Sequence, residues 1–424
     1  MNDSERRAVA ALASVYSMRM LGLFMVLPVF ALLGPELVGA TPALVGMAIG
    51  VYGLSQACLQ VPFGAMSDRL GRKRLIYLGL VIFAIGSLVA GSSDHIVGVI
   101  LGRALQGAGA IASVLMALVS DLTRAEQRTK AMASIGVTIG LSFSLSLILG
   151  PLLSEFAGLS GLFYLTAVLA LVAMVIVWKL VPDPPAMVTE GEHLPTREML
   201  GQVLRDPRLL RLDFGIFALH LALTALFIQV PVMLSDRLGL AVDDMWWFYL
   251  TVMVTSFFAM VPFIILGEKK RRMKAVLCGA VALLVLASMA LWQWAVTLTA
   301  AWFGLFFFFM AFNLLEASLP SLISKESPAG AKGTAMGVYS TSQFFGAFLG
   351  GAAGGAMAGW AGVDGVFGLM VLVLLAWLVV AGTMSPPRYR DRDEFVVELQ
   401  EYDTGDGASE MNNDRAGVNH GTRC

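Results

Sequence analysis

The chain has 424 residues, 57% of them hydrophobic and only 14% charged. Soluble domains average about 45–50% and about 25%, and a mean hydropathy of +0.77 excludes an ordinary soluble enzyme. With 29 Lys and Arg against 30 Asp and Glu, the net charge of −1 offers no basic surface for nucleic acid and no acidic disordered chain. Three cysteines build no disulfide framework. Cys58 and Cys278 lie in apolar runs, where a thiol acts as a small hydrophobe.

A membrane-crossing helix needs about 20 mostly apolar residues. In chain order, twelve stretches qualify: 9–33, 42–66, 75–91, 97–122, 131–153, 162–180, 209–234, 245–266, 273–291, 296–323, 332–358 and 363–383. The first is too long for a cleaved leader and contains Arg19, so it is expected to remain as a helix. With the N-terminus placed in the cytoplasm, every Lys and Arg outside the spans except Arg237 falls on cytoplasmic segments; Arg19 and Arg103 lie within spans. That asymmetry predicts a multi-pass protein with both termini cytoplasmic.

Span 2 ends in a polar turn, Gly64-Ala-Met-Ser-Asp68-Arg69-Leu-Gly71-Arg72-Lys73-Arg74. Gly64 permits close helix approach, and Gly71 a backbone bend that a β-carbon hinders. Asp68 is placed to pair with a nearby Arg or to accept from a helix N-terminus. A plain basic anchor explains the arginines but not the Gly/Asp/Gly spacing. In span 4, Arg103 and Gln106 stand three apart and share a face. Span 5 contains Gly140 and Gly150-Pro151, expected to pack or kink the helix.

The stretch 182–207 holds five prolines and mixed charges, and reads as a cytoplasmic linker between six spans and six more. Local strings recur across it. Val61-Pro62-Phe63 returns as Val261-Pro262-Phe263, Leu27-Pro28-Val29 as Val230-Pro231-Val232, and Ala131-Met132 as Ala335-Met336. Their common order and similar offsets mark an internal repeat. The expected organisation is a six-helix bundle over 1–181, the linker 182–207, a second bundle over 208–384 and a disordered tail over 385–424, with a short strand at 394–399.

Buried polar groups in the second half are His220 in span 7, Asn313 and Glu316 in span 10, and Tyr339 and Gln343 in span 11. Glu316 reads as the sole acidic residue well inside a span. A carboxyl there is costly unless paired or protonated, so it is a candidate proton carrier, or else a structural partner of Arg19 or His220. Glycines from Gly346 to Gly359 follow at small-xxx-small spacing and are expected to serve close packing. No phosphate loop, metal cluster or nucleophile–base set appears, so no cofactor, metal or catalytic residue is expected.

The 64–74 turn, the two six-span halves and the Arg103–Gly109 stretch resemble the major facilitator superfamily, and within it the drug:proton antiporters. The resemblance implies an all-α fold of twelve transmembrane helices in two pseudo-symmetric bundles, with a substrate site near the midplane between them. It implies a cytoplasmic gate of Gly64, Asp68, Arg69, Gly71, Arg72 and Asp121, in which Arg72 pairs with Asp121 and Asp68 faces the start of helix 11 near Lys332-Gly333-Thr334 in the outward-facing state. Arg103 would face the interior and assist proton coupling. Helices 1, 4, 7 and 10 would line the cavity, which puts Arg19, Arg103, His220 and Glu316 there as coupling residues, with Gln56, Asn313, Tyr339 and Gln343 as substrate contacts. If Arg19 or Arg103 instead pairs with Glu316, removing one partner leaves an uncompensated buried charge.

The helix 5 signature is incomplete, since Ser146 and Ser154-Glu155 stand where antiporters have glycine and the final pair. Longer strings, such as 17–28, 101–110 and 313–329, resemble one member of the superfamily more closely, from about Asn2 to Pro387. A close relative continues into a ferredoxin-like domain, for which 385–424 is too short. The implied protein is a monomeric bacterial inner-membrane transporter of a small amphipathic compound, exporting it against protons. Uptake, and a non-transporting sensor on the same fold, are the rival readings.

Overall fold

The computed structural model describes residues 1–183, 197–269, 272–328 and 331–384. The linker residues 184–196 and the tail 385–424, including the expected strand at 394–399, lie outside the described residues, as do the side chains of 268–271. All the long elements are helices. They run α1 Asp3–Phe24, α2 Leu27–Leu33, α3 Pro42–Leu70, α4 Arg72–Gly91, α5 Ile96–Ala108, α6 Ala112–Asp121, α7 Ala125–Leu180, α8 Arg197–Arg205, α9 Pro207–Val232, α10 Met245–Lys269, α11 Met273–Gln293, α12 Leu298–Glu326 and α13 Lys332–Gly382.

Ten helical segments are long and apolar enough to cross a membrane. Two of them run to 51 residues, far beyond the roughly 30 Å of a hydrocarbon core at 1.5 Å per residue. Both are broken by a glycine in the left-handed region, Gly158 (φ 62°) in α7 and Gly362 (φ 58°) in α13. A side chain is strained at such a φ, so glycine allows the chain to turn there. With each divided in two, the ten segments supply the twelve expected spans. The two breaks lie 204 residues apart, within the 200–204 range of the recurring strings.

Three expected elements come out differently. Span 1 is divided between α1 and α2, with Pro28 at the start of the second piece, where its missing N–H costs nothing. Span 4 is divided between α5 and α6 at Gly109–Ile111. The expected linker contains α8 in its second part.

Large apolar side chains face outward along the spans, Phe258, Leu372 and Val379 among them, as lipid-facing surfaces require. Trp178, Trp247, Trp294 and Trp360 are exposed at or near helix ends, the depth at which amphipathic rings favour a membrane interface. α9 is the exception: it is enclosed along almost its whole length.

Helix contacts follow the glycines. α13 lies between α9 and α3, and its glycines divide by face. A Cβ on Gly346 or Gly350 would stand 2.9 Å from the Cα of Phe217 or Leu221 in α9. A Cβ on Gly351 or Gly355 would stand 2.6–2.7 Å from backbone atoms of Gly46 in α3. Gly50 and Gly53 of α3 complete that seam against Phe348 and Phe344. Backbones approach this closely only where no side chain intervenes. The seam stops part-way: β-carbons on Gly333 and Gly337, nearer the start of α13, would meet nothing within 4 Å. The first and second halves therefore touch closely at the end remote from the arginine-rich loops, and separate towards those loops.

Candidate transport site

In the first half, α5 holds Arg103 against α3. Gly102 lets α5 pack on α4, where its β-carbon would lie 2.7 Å from the Gly86 carbonyl oxygen. Arg103, only 1% exposed, then donates from Nε to the carbonyl of Ala48 at 3.2 Å and from one NH group to that of Ile49 at 3.4 Å. Its other NH group donates to Gln106 Oε1 at 3.0 Å, and Gln106 donates on to Ser87 Oγ at 2.8 Å. The guanidinium also lies over the Tyr52 ring. The shared face of Arg103 and Gln106 is thus a hydrogen-bonded unit.

Arg19 sits nearby, also buried. One NH group donates to Tyr52 Oη at 2.7 Å and to Gln56 Oε1, and Gln56 donates to Gln60 at 3.0 Å. Tyr52 and Phe83 present their faces to the cation. Nε and the other NH group have no partner. Among the described residues, no carboxylate pairs with Arg19 or Arg103. The alternative of an ion pair between Glu316 and either arginine is not met: both arginines are satisfied, wholly or partly, by neutral oxygens of their own half. Gln56 is fully buried in this cluster and does not line an open space.

In the second half, the glycine contact between α13 and α9 brings Gln343 beside His220. Gln343 Nε2 lies 2.9 Å from His220 Nε2 and donates to Glu316 Oε1 at 3.2 Å. His220 Nε2 stands 3.8 Å from Glu316 Oε2. Three helices, α9, α12 and α13, thus place one group each in a contiguous polar cluster. The Glu316 side chain is 34% exposed, so it borders the space between the halves while Oε2 itself is buried without a hydrogen-bond partner. Asn313 Nδ2 and Tyr339 Oη are likewise buried and unbonded. Asn313, one turn from Glu316, does not bond it.

Above this cluster, on the side of the glycine seam, the halves meet through aromatic rings. Phe312 lies 6.0 Å from His220, and Phe143 of α7 lies 5.9 Å from Phe312 and 6.4 Å from Phe309. Phe24 of α1 stands edge-on to Phe143 at 4.9 Å. Such pairs add about 0.5–1.5 kcal/mol beyond their area burial. They close the space over Glu316 on one side only.

At the arginine-rich end, Gly71 has φ 95° and joins α3 to α4. Arg72 is buried and binds three groups: Asp68, Asp121 Oδ2 at 3.0 Å and Ser67 Oγ at 2.6 Å. Arg69 is exposed. Gly64 meets only Ser113 of α6, at 3.4 Å for an added β-carbon, so it is not a site of tight approach. Among the described residues no ion pair or hydrogen bond joins Asp68 to Lys332, Gly333 or Thr334. That expected contact is absent with the halves apart at this end. Gly150 packs its backbone against Met25 and Pro28, the packing role expected of Gly150-Pro151.

One acidic residue was missed. Asp213 lies in α9, is 5% exposed, and has both carboxyl oxygens buried without a partner. Glu316 is therefore not the sole buried acid of the spans. Four residues from the start of span 7 and next to Arg208 and Arg211, Asp213 reads in sequence as a flanking charge. The signal that finds it is its spacing: it stands seven residues from His220, two turns along one face.

The match to the Major Facilitator Superfamily model runs over residues 12–351. The chain belongs to this superfamily. It is 49% identical over 389 residues to the inner membrane transport protein YajR of Escherichia coli (strain K12), covering 92% of this chain and 86% of that one. It is 27% identical to the multidrug resistance protein MdtH of Aeromonas salmonicida, covering 84% and 88%. Its fold matches the crystal structure of a bacterial homolog to the human lysosomal transporter Spinster, in an inward-facing and occupied conformation, with a TM-score of 0.74 at 14% identity over 90% of this chain and 96% of that one. The protein is a multi-pass membrane transporter and not an enzyme, with the twelve-helix all-α fold expected from its sequence.

Proposed function

We propose that the chain is a secondary transporter of the bacterial inner membrane, exporting a small amphipathic compound by alternating access in exchange for protons. The observation that carries this reading is the cluster of Glu316, Gln343 and His220. Glu316 borders the space between the halves, and among the described residues no Lys or Arg pairs with it; His220 stands 3.8 Å away. A group so placed binds a proton when the space opens one way and releases it when it opens the other. Drug export is favoured by the similarity to a multidrug resistance protein.

The open arginine-rich end supports an inward-facing state, with both termini cytoplasmic. In that state the glycine seam and the Phe143–Phe312 contact close the outer side. The Arg72–Asp68–Asp121 knot then waits on the first half, and closure of the inner side would bring Asp68 to the start of α13. Substrate would enter the space beside Glu316, Asn313, Tyr339 and Gln343, within the bundle 208–384. Arg19, Arg103 and Gln56 would hold the geometry of the bundle 1–181. The transporter acts as a monomer.

The test is flux in liposomes containing the purified protein, after a thermal-stabilisation screen of small amphipathic compounds has supplied hits. Movement of a hit that depends on an opposed pH gradient supports proton-coupled export. Binding that stabilises the protein without any flux would replace this reading with a sensor.

A further inference from the structure

Asp213 and Tyr339 form a second tier of buried polar groups below the Glu316 cluster. α9 and α13 both begin at the arginine-rich end. Asp213 is the seventh residue of α9, and Tyr339 the eighth residue of α13. His220 and Gln343 lie two turns and one turn further in, roughly 10 Å and 6 Å at 1.5 Å per residue. Glu316 stands about the same depth from the end of α12 as Gln343 does from the start of α13. The chain thus carries an inner tier of Glu316, Gln343 and His220 and an outer tier of Asp213 and Tyr339, the outer one nearer the open end.

Among the described residues, neither oxygen of Asp213 has a hydrogen-bond partner, and neither does the Tyr339 hydroxyl. An ionised carboxylate with both oxygens buried and unbonded is among the costliest groups to bury; the neutral acid is far less so. The surrounding charges do not relieve it. Tyr339 of α13 is a neutral phenol near enough to feel both Asp213 and Glu316, and supplies no positive charge. On its own helix, Arg208 is engaged by Glu326 of α12 at 3.3 Å, and Arg211 is partly exposed and forms no ion pair with it among the described residues. Glu198 and Arg205 of α8, and Lys332 at the start of α13, are exposed. Packing alone gives no reason for this carboxyl: an Asn or Leu fills such a place at lower cost.

We propose that Asp213 is a second proton-binding carboxyl, which passes protons between the Glu316 cluster and the arginine-rich end of the protein. This rests on the reading of Glu316 as the coupling group. When Glu316 gives up its proton, the O–H bond there breaks and one forms on an Asp213 oxygen, with the Tyr339 hydroxyl as the intervening O–H group. Asp213 then loses the proton towards the open end. The relay needs no co-reactant.

The experiment uses the proton itself as probe, so the transported compound need not be known. Infrared difference spectra between low and high pH are recorded on the full chain in lipid, with and without carboxyl-¹³C aspartate, and on Asp213→Asn and Glu316→Gln. The expected result is two titrating bands from buried carboxylic acids. One moves with the aspartate label and is lost in Asp213→Asn; the other does not move and is lost in Glu316→Gln. The label distinguishes Asp from Glu in the unaltered protein, so a variant that folds poorly does not decide the matter. If no buried-acid band moves with the aspartate label while the Glu316 band is present, Asp213 is not a proton site. A missing Glu316 band instead contradicts the functional reading beneath it.

Discussion

The two halves of the transporter bury opposite charges and treat them differently. The first half buries Arg19 and Arg103 among carbonyl, amide and phenol oxygens and aromatic faces, with several hydrogen bonds to Arg103. The second half holds a half-buried Glu316 and a buried Asp213 with few bonds: among the described residues one donor reaches Glu316, and none reaches Asp213. A guanidinium stays charged under any physiological condition, so its site must be built to hold a permanent cation. A carboxyl has a neutral form, and a sparsely bonded site leaves both forms accessible. The fixed charge is held by many bonds, and the changeable one sits where the proposed site lies.

The largest expected effect on stability is in the first half. Arg103→Met leaves Gln106 Oε1 without its donor, at about 1–3 kcal/mol for a buried group left unsatisfied, and also removes the second donors from the helical carbonyls of Ala48 and Ile49. Thermal unfolding in detergent should fall clearly, and further than for any single polar replacement in the second half. An unchanged melting temperature would mean the arginine is not structural, and the contrast between the halves would break.

A smaller change is expected from Gln343→Ala. It removes the bridge between His220 and Glu316, for a net loss of about 0.5–1.5 kcal/mol. Proton-driven flux should fall more than stability does, because the lost hydrogen bond is at the titrating group. Equal proportional losses would assign Gln343 to packing.

The smallest effect is a predicted zero. In a double-mutant cycle of Arg103→Met and Glu316→Gln, the two changes should add to within about 0.5 kcal/mol, since no contact joins the residues. A coupling energy above that would restore the ion pair that the sequence suggests.

Much of the fold is legible in the sequence, because lipid leaves few options: apolar runs must be helices, and Lys and Arg choose a side. The glycines of α13 are legible as packing residues, though not that one face serves α9 and the other α3. At the site, Glu316, His220 and Gln343 stand out as polar residues in apolar spans, and all three meet. Pairing is what sequence spacing does not carry. Arg19 and Glu316 look complementary along the chain, yet Arg19 turns to Tyr52 and Gln56 because α3 lies closer. Asp213 is illegible for a related reason: the arginines beside it suggest a surface, whereas the enclosure of α9 by its neighbours buries it.

The central claim is that Glu316, in the sparsely bonded half, carries the coupled proton. Glu316→Gln keeps the shape and hydrogen-bonding reach of the protonated carboxyl but cannot titrate. The direct measurement compares wild type and this variant in liposomes, for accumulation driven by a pH gradient and for exchange at equal pH on both sides. The account predicts that gradient-driven accumulation is lost while exchange persists. Full gradient-driven accumulation by Glu316→Gln would contradict it and leave Glu316 a structural partner of His220.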